Sequence, residues 1–238
     1  MKLSVIVPAY NEEKYISKCL DSLVAQQVKA DEIIVVNNNS TDNTLKIISQ
    51  YPIRVVNETK KGVIFAKQTG FLTAKNEIIA YLDADSIAPS DWIKKIKQRF
   101  TNPNVVGVSG PYTIIDGPNY QKIWVKISLG LVNFLYHHFN WLTYISGSNL
   151  AFRRPIAKNF NCFDIDKTMG EDEMGIGTKL KKYGHIIWDN SLVIKTSGRR
   201  ANGGFFNFLE HILFRYSLNY LTSQIFGKPL FPPFTDFR

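Results

Sequence analysis

Cysteine is nearly absent: 238 residues contain only Cys19 and Cys162, far apart and outside any CxxC or Cys/His cluster. That argues against a disulfide framework and a cysteine-built zinc site, and it fits a reducing compartment. Acidic residues are outnumbered too, with 20 Asp plus Glu against 29 Lys plus Arg and a net charge of +9. Such a balance favours an anionic partner, whether nucleic acid, phosphorylated small molecules or acidic lipid headgroups. No helix-turn-helix, RNA-binding or finger pattern occurs and the basic residues are scattered, which argues against nucleic acid. The opening MKLSVIVPAY lacks the apolar core and small-residue cleavage site of a signal peptide and reads as a first β-strand, so the chain is expected to stay in the compartment where it is made. Internal repeats and low-complexity linkers are missing as well. Long charge-free runs are confined to residues 127–152, but Asn133, His137, His138, Asn140 and Thr143 interrupt that stretch. Polar groups in such number are costly in hydrocarbon, so the segment reads as interfacial or core rather than as a span.

What is present is enough apolar residue, 45% of the chain, for one large domain or two closely packed halves. LSVIVPAY predicts a strand, and Asn11 is placed to cap a helix whose Tyr15, Ile16, Cys19, Leu20, Leu23 and Val24 follow the helical period. EIIVVN at 32–37 predicts a second strand, TLKIISQY at 44–51 a second helix and IRVVN at 53–57 a third strand. GVIFAKQTGFLTAK predicts a third helix and EIIAYLDAD a fourth strand. Continuous apolar strands separated by helices of this length predict a mostly parallel, Rossmann-like α/β sheet with helices on both faces. Ligands then bind at the carboxyl ends of the strands. Ala9, Tyr10 and Asn11, the stretch 37–42, and Asp83 with Asp85 all fall there.

From about residue 104 the elements shorten, and three parts are expected: a half at 1–103, a second half of the same domain at 104–200 and an aromatic, amphipathic extension at 201–238. Asp83-Ala84-Asp85 closes an apolar strand, where two carboxylates offer hard oxygen ligands to Mg²⁺ or Mn²⁺. Such an ion needs few protein ligands when phosphates and water complete its shell. A solvated turn or a helix cap is the alternative. Glu171 and Asp172 precede an apparent helix, where acids are also favoured by the macrodipole. NNNSTDNT and SGRR read equally well as a capped turn and a basic loop. The adjacent His137 and His138 cannot share a helix face, which argues against one ion between them.

Taken in order, VIVPAYNEE, DEIIVVNNNSTDNT, KKGVIFAKQTGFLTAKNEIIAYLDADS, SGSNLAFRR, GEDEMG and TSGRR resemble the family 2 glycosyltransferases of the GT-A fold, over roughly residues 3 to 200. The resemblance implies an inverting transferase that uses a nucleoside-diphosphate sugar and a divalent metal. It places Pro8, Ala9, Tyr10 and Glu12 along the base and ribose of a UDP- or GDP-sugar. Asn37 stands where the family usually has Asp, and an amide both donates and accepts where a carboxylate only accepts. Lys67 and Asp83-Ala84-Asp85 are placed at the donor, with Asp85 as the more direct metal ligand and Asp83 nearer the ribose and the metal's waters. Glu171 and Asp172 match the motif that holds the family's catalytic base, assigned here to Asp172. Arg199 and Arg200 match a basic motif near the diphosphate or an anionic acceptor, where a guanidinium fork suits phosphate.

The implied acceptor is a hydroxyl or phosphate of a lipid-linked or saccharide molecule, as in cell-envelope polysaccharide or glycolipid synthesis. Aromatic segments near 120–145 and 204–234 resemble surfaces that meet membranes, so a peripheral site on the inner, cytoplasmic face of an anionic membrane is expected. A core or dimer role for these aromatics is the competing reading. Nucleotidyltransferases share such sheets, but the acidic PAYNEE lacks their Gly-rich basic phosphate loop. A non-catalytic sugar-nucleotide-binding relative is the other alternative, against which Asp85 and Asp172 argue.

Overall fold

The computed structural model describes residues 1–142, 144–160 and 171–199, with the backbone alone at 171–174. Its first half is built as the periodicity predicts. Strand β1 (Leu3–Ala9) leads through α1 (Ile16–Val24) to β2 (Glu32–Asn37), then through α2 (Thr44–Ile48) to β3 (Arg54–Asn57). Helix α3 (Val63–Thr73) returns to β4 (Ile78–Leu82). β1 pairs in parallel with β2 and β4, and β2 with β3, so the carboxyl ends of all four strands lie along one rim.

The second half departs from uniform parallel order. After β5 (Ser86–Ile87) and α4 (Trp92–Arg99) come β6 (Val105–Ser109), β7 (Tyr112–Ile114) and the long helix α5 (Asn119–Phe139). They are followed by β8 (Asn149–Arg153), α6 (Arg154–Ala157), α7 (Glu171–Leu180), β9 (His185–Trp188) and β10 (Ile194–Thr196). The large sheet has the order β3-β2-β1-β4-β8-β6-β9, and β8 runs antiparallel to both neighbours, so the sheet is mixed but mostly parallel. Reversal brings the first residue of β8, Asn149, opposite Leu82 at the rim where β4 ends. A small sheet, β5-β10-β7, forms beside that rim.

Alternation along each strand divides the core into two layers, as a period of two requires. From β1 and β4, Leu3, Val5, Val7, Ile78, Ala80 and Leu82 pack with α1 and α4 through Ile16, Leu20, Trp92 and Ile96. Ile6, Ile79 and Tyr81 face the other way, toward Phe71 of α3, Val125 and Leu129 of α5 and Leu180 of α7. Each large side chain buried in this way contributes about 1.5–3 kcal/mol. Gly70 permits the close approach of α3, since a Cβ there would lie 2.4 Å from Ile6 Cγ2.

Two local expectations are corrected. Asn11 does not cap α1: Tyr15 takes the N-cap position without a side-chain bond. Asn11 instead adopts a left-handed φ of 52°, which suits its short polar side chain, and its Oδ1 accepts from the Thr41 backbone N–H at 2.8 Å. Helix α2 stops at Ile48 rather than 51. Pro52 disfavours helical geometry at Tyr51, and the Tyr51 hydroxyl turns to Asp21 of α1 at 2.9 Å.

Candidate active site

The rim collects the polar groups that end the strands. The Asn38 N–H donates to Ala9 O at 2.8 Å and the Glu58 N–H to Asn37 O at 2.9 Å, locking the loops after β1, β2 and β3 together. Asn37 is buried; its Nδ2 donates to Asn57 Oδ1 at 3.0 Å and its Oδ1 accepts from the Ser40 N–H at 3.2 Å. An aspartate could not make the first of these bonds, so the amide fits an Asn57 partner that sequence spacing did not reveal. Pro8 and Ala9 are buried in β1, while Tyr10 is half-buried with the Lys61 ammonium 5.6 Å from its ring centroid. Lys67 is buried on α3, and its carbonyl accepts from the Tyr81 hydroxyl at 3.0 Å.

Asp83, Ala84 and Asp85 occupy the passage from β4 of the large sheet to β5 of the small one. Asp83 O accepts from the Ser86 N–H at 3.0 Å, and Ala84 is buried beneath the turn. Asp85 Oδ1 accepts from the Thr196 hydroxyl at 3.3 Å, while Asp85 O accepts from the Ser197 N–H at 3.2 Å. β10 therefore holds the Asp-Ala-Asp turn from the side. Cys19 lies below: burial first, then the charges of Asp85, Asp83 and Glu12, push its thiol well above the ordinary range. The two aspartates and Glu12 thus share one neighbourhood, although Glu12 is 71 residues from Asp83 in sequence.

Arg199 joins them. Its guanidinium makes a fork with both oxygens of Glu12, Nη1 donating to Oε2 at 2.7 Å and Nη2 to Oε1. Nη2 also stands 3.1 Å from Asp85 Oδ2. The Tyr15 ring lies 4.9 Å away on the guanidinium's flank. The Glu12 side chain is 3% exposed, that of Asp85 9% and that of Arg199 26%, so these charges meet largely out of water. Burial opposes the Arg199 charge, but the Glu12 hydrogen bond and the charges of Asp85 and Glu12 prevail and raise its pKa.

Sequence reasoning missed Asp116, which fixes the loop bearing Arg199. Its carboxylate accepts from the Ser197 hydroxyl at 3.0 and 2.9 Å and from the Gly198 N–H at 2.6 Å. A Cβ on Gly198 would lie 2.5 Å from the Gly117 Cα, so the glycine of TSGRR is required by this contact. Burial opposes the Asp116 charge, yet the bonds from Gly198 and Ser197 lower its pKa overall. Asn149 was also missed as a support. Its Oδ1 accepts from Trp92 Nε1 at 2.9 Å, and its Nδ2 donates to Pro111 O at 3.2 Å and Leu192 O at 2.6 Å. These bonds tie the large sheet to the segments entering β7 and β10.

Glu171 and Asp172 begin α7, but their side chains lie outside the described residues, as do Arg200, Cys162 and the whole of 201–238. Among the described residues no three His, Cys, Asp or Glu side chains cluster as a metal cage. Asp83 and Asp85 supply hard carboxylate oxygens, which fits an Mg²⁺ or Mn²⁺ completed by phosphate and water and does not fit a soft metal.

A mostly parallel sheet ending in an Asp-Ala-Asp turn, with β8 reversed and a small sheet at the rim, defines a glycosyltransferase fold of the GT-A type. The family model for glycosyl transferase family 2 matches residues 4–161, and the chain belongs to that family. An uncharacterised glycosyltransferase of Nostoc sp. is 32% identical over 178 residues, covering 70% of this chain and 54% of that protein, so the chain spans about half the length of this relative. The mannosyltransferase PcManGT of Pyrobaculum calidifontis, solved with GDP-Man and Mn²⁺, has a TM-score of 0.72 at 24% identity, covering 96% of this chain and 65% of its own. TarS residues 1–349 of S. aureus, solved with UDP-GlcNAc, has a TM-score of 0.65 at 19% identity, covering 84% and 59%.

Proposed function

We propose that the chain transfers a sugar from a UDP- or GDP-linked donor to a hydroxyl or phosphate of a lipid-linked or saccharide acceptor, inverting the anomeric carbon. The observation that carries this reading is the meeting of Asp85 and Arg199 at the rim where β1, β2 and β4 end. Carboxylate and guanidinium are the two groups a metal-bound diphosphate requires. Family neighbours solved with GDP-Man and Mn²⁺ or with UDP-GlcNAc support it.

In this reading Pro8, Ala9, Tyr10 and Asn37 line the base and ribose, and Lys67 faces the donor. Asp85, with Asp83 beside it, holds the divalent ion, which supplies charge neutralisation at the departing diphosphate. Asp172 takes the proton from the acceptor hydroxyl as that oxygen bonds to the anomeric carbon. The bond from that carbon to the phosphate oxygen breaks on the opposite face, and its electron pair leaves with the diphosphate. Arg199 and Arg200 offer hydrogen bonds to the departing oxygens. A panel of UDP- and GDP-sugars, with and without Mn²⁺, tests this by thermal stabilisation, since a ligand of the folded state raises its melting temperature. One donor series should stabilise only with metal. No shift with any donor in Mn²⁺ sinks the reading.

A peripheral place on an anionic, cytoplasm-facing membrane surface belongs to the same proposal. On α5, Val125, Leu129 and Val132 pack inward while Ile123, Ile127, Leu131 and Phe134 stay exposed along the opposite stripe, with Phe139 and Trp141 beyond. No helix among the described residues is long and apolar enough to cross a membrane. An exposed apolar stripe flanked by Lys122 and Lys126 suits an interface. Sedimentation with anionic vesicles should fall as salt rises, and no vesicle affinity at low salt refutes it.

A further inference from the structure

We infer that Arg199 is the internal counterion of Asp85, held there by Glu12, and that it makes binding of the divalent ion depend on the nucleotide. This rests on the metal reading of Asp85. Glu12 cannot leave its site: its side chain is almost fully buried, its N–H donates to Thr44 Oγ1 at 2.7 Å, and its carbonyl accepts from the N–H groups of Tyr15 and Ile16. A buried carboxylate needs a charged partner, and the Arg199 fork satisfies both of its oxygens. Arg199 is fixed from its other side as well. Its own N–H donates to Ser197 Oγ at 3.3 Å, and Asp116 secures that serine and Gly198.

The cost falls on Asp85. One of its oxygens accepts from Thr196 and the other faces the guanidinium, so an arriving dication must share that second oxygen with a fixed positive charge. Glu12, Asp85 and Arg199 together carry only one net negative charge. A diphosphate changes the balance: its own negative charge screens ion from guanidinium, and Nη2 can exchange Asp85 for a phosphate oxygen while Nη1 keeps Glu12. Ion and nucleotide then enter as cooperating ligands, while the free ion alone is held weakly. Glu12 acts as a positioning residue in this scheme, since it sets where the guanidinium stands.

The test measures Mn²⁺ binding to the full chain by the free-ion EPR signal at constant ionic strength, with no nucleotide and then with UDP or GDP. Arg199→Gln and Arg199→Ala should bind Mn²⁺ alone about tenfold more tightly than the parent protein, and the gain from adding nucleotide should shrink. Arg199→Lys keeps the charge and should retain the parent's weak binding. Circular dichroism of each variant establishes folding, and either neutral variant suffices for the comparison. If Arg199→Gln or Arg199→Ala binds Mn²⁺ alone no more tightly than the parent, while Asp85→Asn abolishes binding, the counterion role is wrong and the metal assignment stands. Binding that survives Asp85→Asn unchanged overturns the metal assignment and the inference with it.

Discussion

Replacing Asn149 by alanine isolates the link between the large sheet and the small sheet that carries Thr196 to Arg199. Three hydrogen bonds disappear at once, one from buried Trp92 Nε1 and two to the carbonyls of Pro111 and Leu192. The side chain is essentially inaccessible, so water does not readily replace it. Each orphaned buried group costs about 1–3 kcal/mol, with carbonyls at the low end, which sums to about 3–5 kcal/mol for Asn149→Ala. Out of a total of about 5–15 kcal/mol this is a large loss, and for a chain of this size it lowers the melting temperature by about 10 °C. Urea titration gives the free energy directly. Asn149→Asp is the sharper comparison, because a carboxylate still accepts from Trp92 but donates to neither carbonyl and brings a buried charge, so it should be at least as damaging. A loss below about 1 kcal/mol for Asn149→Ala would refute the view that this amide joins the sheets.

Asp172→Asn should leave donor affinity intact and cut turnover by about a hundredfold or more, as expected for loss of a general base; near-normal turnover returns Glu171-Asp172 to a capping role. Gly70→Ala should destabilise by about 1–3 kcal/mol in urea, because its methyl meets Ile6 Cγ2 at 2.4 Å, and a neutral effect would show that α3 yields freely. Asp189 gives a pH signature. Burial opposes its charge, but hydrogen bonds from Arg99 and Ser191 outweigh it and lower its pKa. A carboxyl depressed in the native state stabilises fully above its unfolded pKa of about 3.9, and that stability fades as pH falls through the native value. Asp189→Asn should therefore flatten the acid limb of a urea-midpoint against pH curve, and an unchanged limb assigns acid lability elsewhere.

Local sequence is enough to set the elements of the first half. Strand and helix periods in residues 3–82 are local properties, and the helices between apolar strands leave a parallel order with its rim at the strand ends as the natural solution. The position of Asp83 and Asp85 at the rim was legible for the same reason, since the apolar run of β4 ends just before them. The conformation of Asn11 depends on a partner 30 residues away, Thr41, which spacing does not reveal, whereas the end of α2 combines a local signal, Pro52, with the distant Asp21 that takes the Tyr51 hydroxyl. The reversal of β8 carries no periodic signal, because an apolar strand reads the same in either direction. Only the tertiary structure could bring Arg199 onto Glu12 and Asp85, 187 residues from the former, or turn Asp116 from an ordinary loop acid into the anchor of the TSGRR loop. Charge pairs of that kind arise from packing, where burial makes a partner obligatory but spacing along the chain does not say which partner it is.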